Sequence, residues 1–222
     1  AGALAESSED AHVTPANAKL DILMIGDSVS VRAIPNFQET FPYGAIDAAV
    51  NRQLYVGQDI YQSYADQNIV GDIVVFALGT NGVATDEQLD TLIGAVGADK
   101  RIWLINTRST TSWMGETNNA LARAAERYEN VNLIDWYGLS SSHGEWFDGD
   151  GTHLSADGAQ AYVDMVHSAV AEYLPVHEEG DEHAELKSPQ QFAVDSAKEV
   201  VRAPIAHLLD GLKQPVDLSA DR

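Results

Sequence analysis

The protein has 222 residues, 45% of them hydrophobic, and its 34 acidic and 13 basic side chains give a formal net charge of −21. This length allows one globular domain with additional terminal segments. The acidic charge argues against binding to nucleic acid or to an anionic membrane surface, since both require clustered lysine and arginine. The sequence contains no cysteine, which excludes disulfides and thiolate metal sites, and no hydrophobic run approaches the ~20 residues that span a bilayer.

Residues 1–19 form the first segment, which is small, polar and acidic without hydrophobic periodicity. This composition is typical of a linker. Because the sequence begins Ala-Gly-Ala without an initiating methionine, we expect the linker to connect the protein to a preceding domain of a longer chain.

Five short hydrophobic runs follow, each bounded by glycine, asparagine or aspartate. They lie at residues 22–25, 73–78, 102–105 and 131–134, with a weaker one at 45–50. Because the runs are continuous rather than alternating, they predict strands that are buried on both faces, as in a parallel sheet.

Helical patterns separate the predicted strands. We expect helices at residues 58–65, 86–96, 119–128 and 156–174. Thr85 is suited to be the N-cap of the second helix and Ser155 that of the fourth. Strands that alternate with helices predict an α/β protein, a three-layer α/β/α sandwich around a central parallel sheet of about five strands. We place this domain at residues 20–175.

The composition changes after Pro175. Residues 177–183 form an acidic hinge, and an amphipathic pattern begins at Pro189 and is interrupted by Pro204. Because proline breaks or kinks a helix, we expect a helical C-terminal extension, within residues 176–222, of two short helices or one kinked helix. The sequence does not decide between packing on the core and packing on another chain.

Three polar segments lie at the carboxyl ends of the predicted strands or next to the last helix. They are Gly-Asp-Ser at 26–28, Gly-Thr-Asn at 79–81 and Asp-Gly-Thr-His at 150–153. An open parallel sheet binds its ligand at the carboxyl ends of its strands. The three segments therefore predict one active site at this edge.

A serine, a histidine and an aspartate are the groups that acyl transfer through a serine ester requires. We predict that Ser28 is the nucleophile, that His153 is the general base and that Asp150 orients the imidazole. The backbone N–H groups of Ser28 and Gly79 and the side chain of Asn81 are the predicted donors of an oxyanion hole.

Each segment also has a simpler interpretation. Gly-Asp-Ser alone fits a helix cap, and Thr-Asn-Gly at 80–82 fits a plain turn. Asp148 is an alternative orienting carboxylate, and His143 is an alternative base. Residues 148–151 resemble part of a calcium-binding loop but lack its further oxygen ligands and its terminal glutamate, so no metal site is predicted.

Together these segments resemble the SGNH (GDSL-type) hydrolase superfamily over about residues 20–174. The resemblance implies a flavodoxin-like sheet, no cofactor and the catalytic roles given above. The second sequence block of this superfamily carries a glycine, whereas this chain has Asp-Ala-Ala-Val-Asn-Arg-Gln at 47–53. By resemblance, the backbone N–H of Asn51 or Arg52 then serves as the oxyanion donor of that block.

The segment at 47–53 is one of several that resemble the extracytoplasmic C-terminal domains of bacterial peptidoglycan O-acetyltransferases, in which an integral-membrane acyltransferase domain precedes a linker. The others are Gly-Asp-Ser-Val at 26–29, Leu-Gly-Thr-Asn-Gly at 78–82, Asn-Thr-Arg at 106–108 with Trp113, and Asp-Gly-Thr-His-Leu at 150–154. This resemblance implies transfer of an acetyl group from an acyl donor to the C6 hydroxyl of a muramoyl residue, through an acyl-serine and outside the cytoplasm. The side chains expected to line the glycan groove are Arg52, Arg108, Trp113 and Trp146.

Two other functions fit the same residues. One is a carbohydrate or small-ester acetylesterase of the SGNH type, with water as the acceptor. The other is a non-catalytic glycan-binding domain on an inherited scaffold, which the intact serine, histidine and aspartate argue against.

Overall fold

The computed structural model describes residues 19–177. Within this range all strands pair in parallel in one sheet, in the order β2-β1-β3-β4-β5. The strands are β1 (Leu20–Gly26), β2 (Ala45–Ala48), β3 (Val70–Ala77), β4 (Arg101–Ile105) and β5 (Val131–Ile134). The predicted α/β class and the parallel five-stranded sheet are confirmed.

Helices connect the strands and cover both faces of the sheet. They are α1 (Ser28–Val31), α2 (Ile34–Thr40), α3 (Gly57–Ala65), α4 (Asp86–Val96), α5 (Met114–Arg127), α6 (Trp136–Ser140) and α7 (Ala156–Val170). Short 3₁₀ turns lie at Leu54–Val56, Gly144–Trp146 and Ala171–Tyr173.

The core consists of two hydrophobic layers, because successive strand side chains point to opposite faces of the sheet. Leu23 and Ile25 of β1 belong to the layer under α3, α4 and α5. Ile22 and Met24 of the same strand belong to the layer under α2, α6 and α7. Both faces of the sheet are therefore buried, which explains why the strands are continuous hydrophobic runs and confirms the three-layer arrangement.

Some helix boundaries differ from the predicted ones. Helix α5 begins at Met114 rather than at 119, because Thr117 is fully buried and its hydroxyl oxygen accepts the N–H of Ala84 at 3.1 Å. Helix α7 ends at Val170 and continues as a 3₁₀ turn. The predicted linker and the helical pattern from Pro189 onward lie outside the described residues, except for Lys19 of the linker.

No helix between residues 19 and 177 is both long enough and apolar enough to cross a membrane. The carboxyl ends of β1, β3 and β4 and the approach to α7 meet at one edge of the sheet, where the polar segments lie.

Candidate active site

Ser28 is the first residue of α1, directly after the sharp turn that ends β1. Asp27 caps this helix, and its Oδ1 accepts the N–H of Val29 at 3.0 Å. Gly26 has no room for a side chain, because a Cβ there would lie 2.4 Å from Ser30 Oγ. The capping interpretation is therefore correct for Asp27 and leaves the hydroxyl of Ser28 available for other contacts.

Asp27 also connects the nucleophile turn to the segment after β3. Its side chain is buried, and Oδ2 accepts the backbone N–H of Thr80 at 3.1 Å. Burial raises the pKa of this carboxyl, and the N–H groups of Val29 and Thr80 oppose that shift. One carboxylate thus holds the 26–28 and 79–81 segments together.

Ser28, His153 and Asp150 form a continuous hydrogen-bonded series. The distance from His153 Nε2 to Ser28 Oγ is 3.0 Å, and the distance from His153 Nδ1 to Asp150 Oδ2 is 2.6 Å. Because an ionised carboxylate only accepts hydrogen bonds, Nδ1 carries the proton and Nε2 is free to accept the serine proton.

Asp150 is held ionised by its neighbours. The hydrogen bond from His153 lowers the pKa of Asp150 to about 2, with further contributions from the backbone N–H groups of Thr152 and His153. These two N–H groups donate to Asp150 Oδ1 at 2.9 and 3.0 Å. A fixed carboxylate of this kind can orient the imidazole and stabilise the imidazolium.

The two alternative residues make other contacts. Asp148 donates its backbone N–H to the carbonyl of His153 at 2.8 Å, whereas the imidazole itself bonds to Asp150. His143 Nδ1 bonds to Glu145 at 2.7 Å, and its ring stacks on Trp146 at 3.8 Å. Within the described part of the chain, no group of three or more histidine and carboxylate side chains is arranged to hold a metal ion.

Gly79 and Asn81 lie beside the nucleophile turn. A Cβ at Gly79 would contact the methyl groups of Thr117 and Thr107 at 3.2 and 3.3 Å, so the backbone packs closely here. Asn81 Nδ2 donates to the carbonyl of Arg52 at 3.1 Å. Since a carbonyl only accepts, this contact fixes which end of the carboxamide is the nitrogen and leaves its second N–H for an oxyanion.

Asn51 is exposed and has a φ of 60°, in the left-handed region that asparagine tolerates better than most residues. Its backbone thus makes the turn that follows β2 and leads into Arg52, close to Asn81. Its predicted role as an oxyanion donor stays a prediction.

Arg52 is not placed as expected for a residue that binds glycan. Its side chain is only 9% exposed, and Nη2 forms an ion pair with Asp47 at 2.6 Å. Nη1 donates to the carbonyls of Gly26, at 3.1 Å, and of Asp47. The expectation is corrected here, because a guanidinium buried this deeply is stable only when its donors are paired with protein acceptors.

The other three predicted groove residues lie around the site with different availability. Arg108 is half-buried, bonds to the carbonyl of Ser140 and lies 4.3 Å above the ring of Phe147. Trp113 is also half-buried, and its Nε1 donates to the carbonyl of Thr80 at 3.2 Å. Both side chains are therefore partly accessible beside the catalytic edge.

Trp146 packs against two other aromatic rings. It stacks on Trp136 at 5.7 Å and on His143 at 3.8 Å. Its predicted contact with glycan stays a prediction.

Sequence reasoning missed a set of side chains that hold the loop after β4. The carboxamide of Asn118 accepts the N–H of Thr107 at 2.9 Å and donates to its carbonyl at 2.8 Å. The hydroxyls of Thr107 and Thr80 are 3.0 Å apart. Asn118 lies directly before the helix predicted at 119–128, and this position gives no signal for such a role.

Comparisons with known proteins support the assignment of the fold. No sequence model of a known protein family matches the chain. The peptidoglycan O-acetyltransferase OatA of Listeria monocytogenes is 39% identical over 158 residues, which cover 71% of this chain and 25% of that protein. The O-acetyltransferase OatA of Staphylococcus aureus (strain NCTC 8325 / PS 47) is 40% identical over 158 residues, covering 68% and 26%. The chain thus spans about a quarter of these relatives' length.

Solved structures show the same fold. The C-terminal catalytic domain of the Streptococcus pneumoniae peptidoglycan O-acetyltransferase OatA superposes with a TM-score of 0.63 at 22% identity, covering 73% of this chain and 99% of that one. A lipase/acylhydrolase of Enterococcus faecalis superposes with a TM-score of 0.57 at 17% identity, covering 71% and 98%.

The chain has the fold of the SGNH (GDSL-type) hydrolases. Among proteins of this fold, the chain resembles the C-terminal catalytic domain of the peptidoglycan O-acetyltransferases.

Proposed function

We propose that residues 20–175 form a serine-dependent O-acetyltransferase domain that transfers an acetyl group to the C6 hydroxyl of muramoyl residues in peptidoglycan. The observation that carries the proposal is the hydrogen-bonded series of Ser28, His153 and Asp150, with distances of 3.0 and 2.6 Å. Sequence identity of 39–42% to O-acetyltransferases supports this choice among the reactions that the series can perform.

In the first half of the reaction, Ser28 Oγ attacks the carbonyl carbon of the acetyl donor while its proton moves to His153 Nε2. The second N–H of Asn81 and the backbone N–H groups of Ser28 and Gly79 donate to the oxyanion. The bond to the leaving group then breaks, the leaving group takes the proton from His153, and acetyl-Ser28 remains.

In the second half, the glycan hydroxyl gives its proton to His153 Nε2 and attacks acetyl-Ser28. The tetrahedral intermediate collapses, Ser28 Oγ recovers the proton, and the acetylated glycan leaves. Asp150 stabilises the imidazolium in both halves and keeps its own charge throughout. No step requires a cofactor.

The proposal also assigns the domain a cellular location and a neighbouring domain in the full-length protein. The domain acts outside the cytoplasm, and the segment before residue 20 links it to a membrane-embedded acyltransferase domain that delivers the acyl donor. The chain's span of about a quarter of its relatives' length leaves room for such a domain. Arg108, Trp113 and Trp146 are the groove residues that this proposal retains for glycan contact.

The test supplies 4-nitrophenyl acetate as donor and a muramoyl-containing glycan oligomer as acceptor. Mass spectrometry then measures acetylated glycan, and a separate assay measures free acetate. The wild-type protein is expected to acetylate the oligomer, whereas Ser28→Ala is expected to lose turnover and keep its circular dichroism spectrum. Activity retained in Ser28→Ala would overturn the nucleophile assignment.

The second candidate function is an acetylesterase with the same three residues. The side chains of His153 and Asp150 are 46% and 51% exposed, so water can reach an acyl-serine at this site. Free acetate that is released at an unchanged rate, with no acetyl on the glycan at any acceptor concentration, would favour the esterase over the transferase.

A further inference from the structure

One buried side chain connects the ends of two strands under the nucleophile turn. The guanidinium of Arg52 donates to the carbonyl of Gly26, the last residue of β1, at 3.1 Å. It also donates to the carbonyl of Asp47 and to its carboxylate, the latter at 2.6 Å. The position of Arg52 is therefore set by both β1 and β2.

The backbone of the same residue contacts the candidate oxyanion donor. The carbonyl of Arg52 accepts the Nδ2 hydrogen bond of Asn81 at 3.1 Å. Arg52 thus joins the nucleophile turn, the segment after β2 and the candidate oxyanion donor through four hydrogen bonds.

We propose that Arg52 is a positioning residue, which fixes the Asn81 carboxamide in the oxyanion hole by anchoring its acceptor carbonyl to Gly26 and Asp47. The inference rests on the proposed serine chemistry, and it applies equally to the transferase and to the esterase. It assigns Arg52 a role in transition-state stabilisation that does not involve contact with the glycan.

Arginine suits this position because its planar fork presents several donors at fixed angles. A lysine ammonium would keep the charge but could not reach two carbonyls and a carboxylate in this geometry. The second oxygen of Asp47 accepts the hydroxyl of Tyr64 at 3.0 Å. Burial and the neighbouring Asp47 raise the pKa of Tyr64, which therefore remains a donor. Each oxygen of the Asp47 carboxylate therefore accepts a hydrogen bond, one from Arg52 and one from Tyr64.

The test is a double-mutant cycle on Arg52→Gln and Asn81→Ala with 4-nitrophenyl acetate, so no glycan is needed. Loss of one oxyanion donor lowers kcat by about 10²–10³-fold, and we expect Arg52→Gln to lower it by roughly 10-fold or more, with KM nearly unchanged. In the Asn81→Ala background, Arg52→Gln should cost less than about 3-fold, since residues that act through one another are not additive.

A second readout is the affinity for an aryl boronic acid, which forms an anionic tetrahedral adduct on a catalytic serine. Arg52→Gln is expected to weaken this affinity. The destabilised control is Val96→Ala, which truncates a buried side chain at the last residue of α4; it should lower the melting temperature and leave the affinity unchanged.

Two results would overturn the proposal. Additive losses in the cycle would show that Arg52 acts independently of Asn81, and a rise in KM for 4-nitrophenyl acetate with kcat unchanged would make Arg52 a substrate-binding residue instead. If Arg52→Gln does not fold, Arg52→Lys replaces it with the same expected loss. Failure of the serine chemistry itself is detected separately, as activity retained in Ser28→Ala.

Discussion

Asp150 and His153 illustrate how a four-residue segment supplies both a base and the carboxylate that orients it. Asp150 Oδ1 accepts the backbone N–H groups of Thr152 and His153, while Oδ2 accepts the imidazole N–H. The local turn therefore sets the direction of the carboxylate before any contact with Ser28 is made. This explains why the Asp-x-x-His spacing is informative even though both side chains are half exposed.

The first prediction at the scale of the residue concerns Asp150→Asn. The amide cannot enforce the proton position on the imidazole, so kcat should fall by about 10²–10⁴-fold with little change in KM. Steady-state kinetics with an acetyl ester measures this loss, and Asp148→Asn is the matched control that should retain activity. Full activity in Asp150→Asn with loss in Asp148→Asn would transfer the orienting role to Asp148.

The second prediction concerns pH. Because the pKa of Asp150 is lowered to about 2, this carboxylate is ionised at all pH values above about 3. Its contribution to stability is present above the ordinary pKa of 3.8 and is lost as the pH falls through about 2. A fall in kcat/KM on acidification that occurs above pH 4 should therefore come from protonation of another group. A carbon-13 NMR titration of the Asp150 carboxyl checks this, and a midpoint above 4 would contradict it.

At the scale of the element, the start of α7 is pressed against the turn that carries Trp146. A Cβ at Gly158 would lie 1.9 Å from the carbonyl of Trp146, whereas a Cβ at Gly94, in the last turn of α4, would meet nothing within 4 Å. The approach to α7 also carries His153. Packing at Gly158 and the position of the base are therefore coupled.

Gly158→Ala and Gly94→Ala are accordingly expected to have opposite effects. The first should cost about 1–3 kcal/mol or more through overpacking and lower kcat by displacing the His153 segment. The second should stabilise the protein by about 0.5–1 kcal/mol, since alanine has a higher helix propensity than glycine. Urea unfolding and esterase assays measure both effects, and equal stability of the two variants would refute the close packing.

The strands are predictable from sequence because each is buried on both faces and therefore hydrophobic throughout. The first turn of α5 is not predictable, since Thr117 has a modest helix propensity and is held by the N–H of Ala84. Helices α2 and α6 are too short to show a period.

Ser28 lies in a turn that its own sequence segment specifies, and so do Asp150 and His153. Arg52 is different, because its burial depends on Asp47 and on the carbonyl of Gly26, which only the assembled sheet places nearby. Sequence shows that an arginine is present, but not that its charge is neutralised inside the protein. The stacking of His143 on Trp146 is likewise a tertiary contact without a sequence signal.

At the scale of the whole molecule, residues 19–177 supply the two hydrophobic layers and the hydrogen bonds described at the site. A protein trimmed to residues 19–177 is therefore expected to unfold cooperatively and to keep its esterase rate within about twofold, since folding units carry their own core. Loss of activity or of cooperativity on trimming would give the terminal segments a structural role.

Ser28 and His153 are 125 positions apart, and they belong to the first and the last units of the sheet to emerge during synthesis. A chain completed only through β5 carries the proposed nucleophile and oxyanion donors but lacks the proposed base. Such a nascent chain should not cleave esters, because the serine hydroxyl is a weak nucleophile without a base beside it. The time at which ester cleavage begins during refolding therefore reports when α7 docks on the sheet.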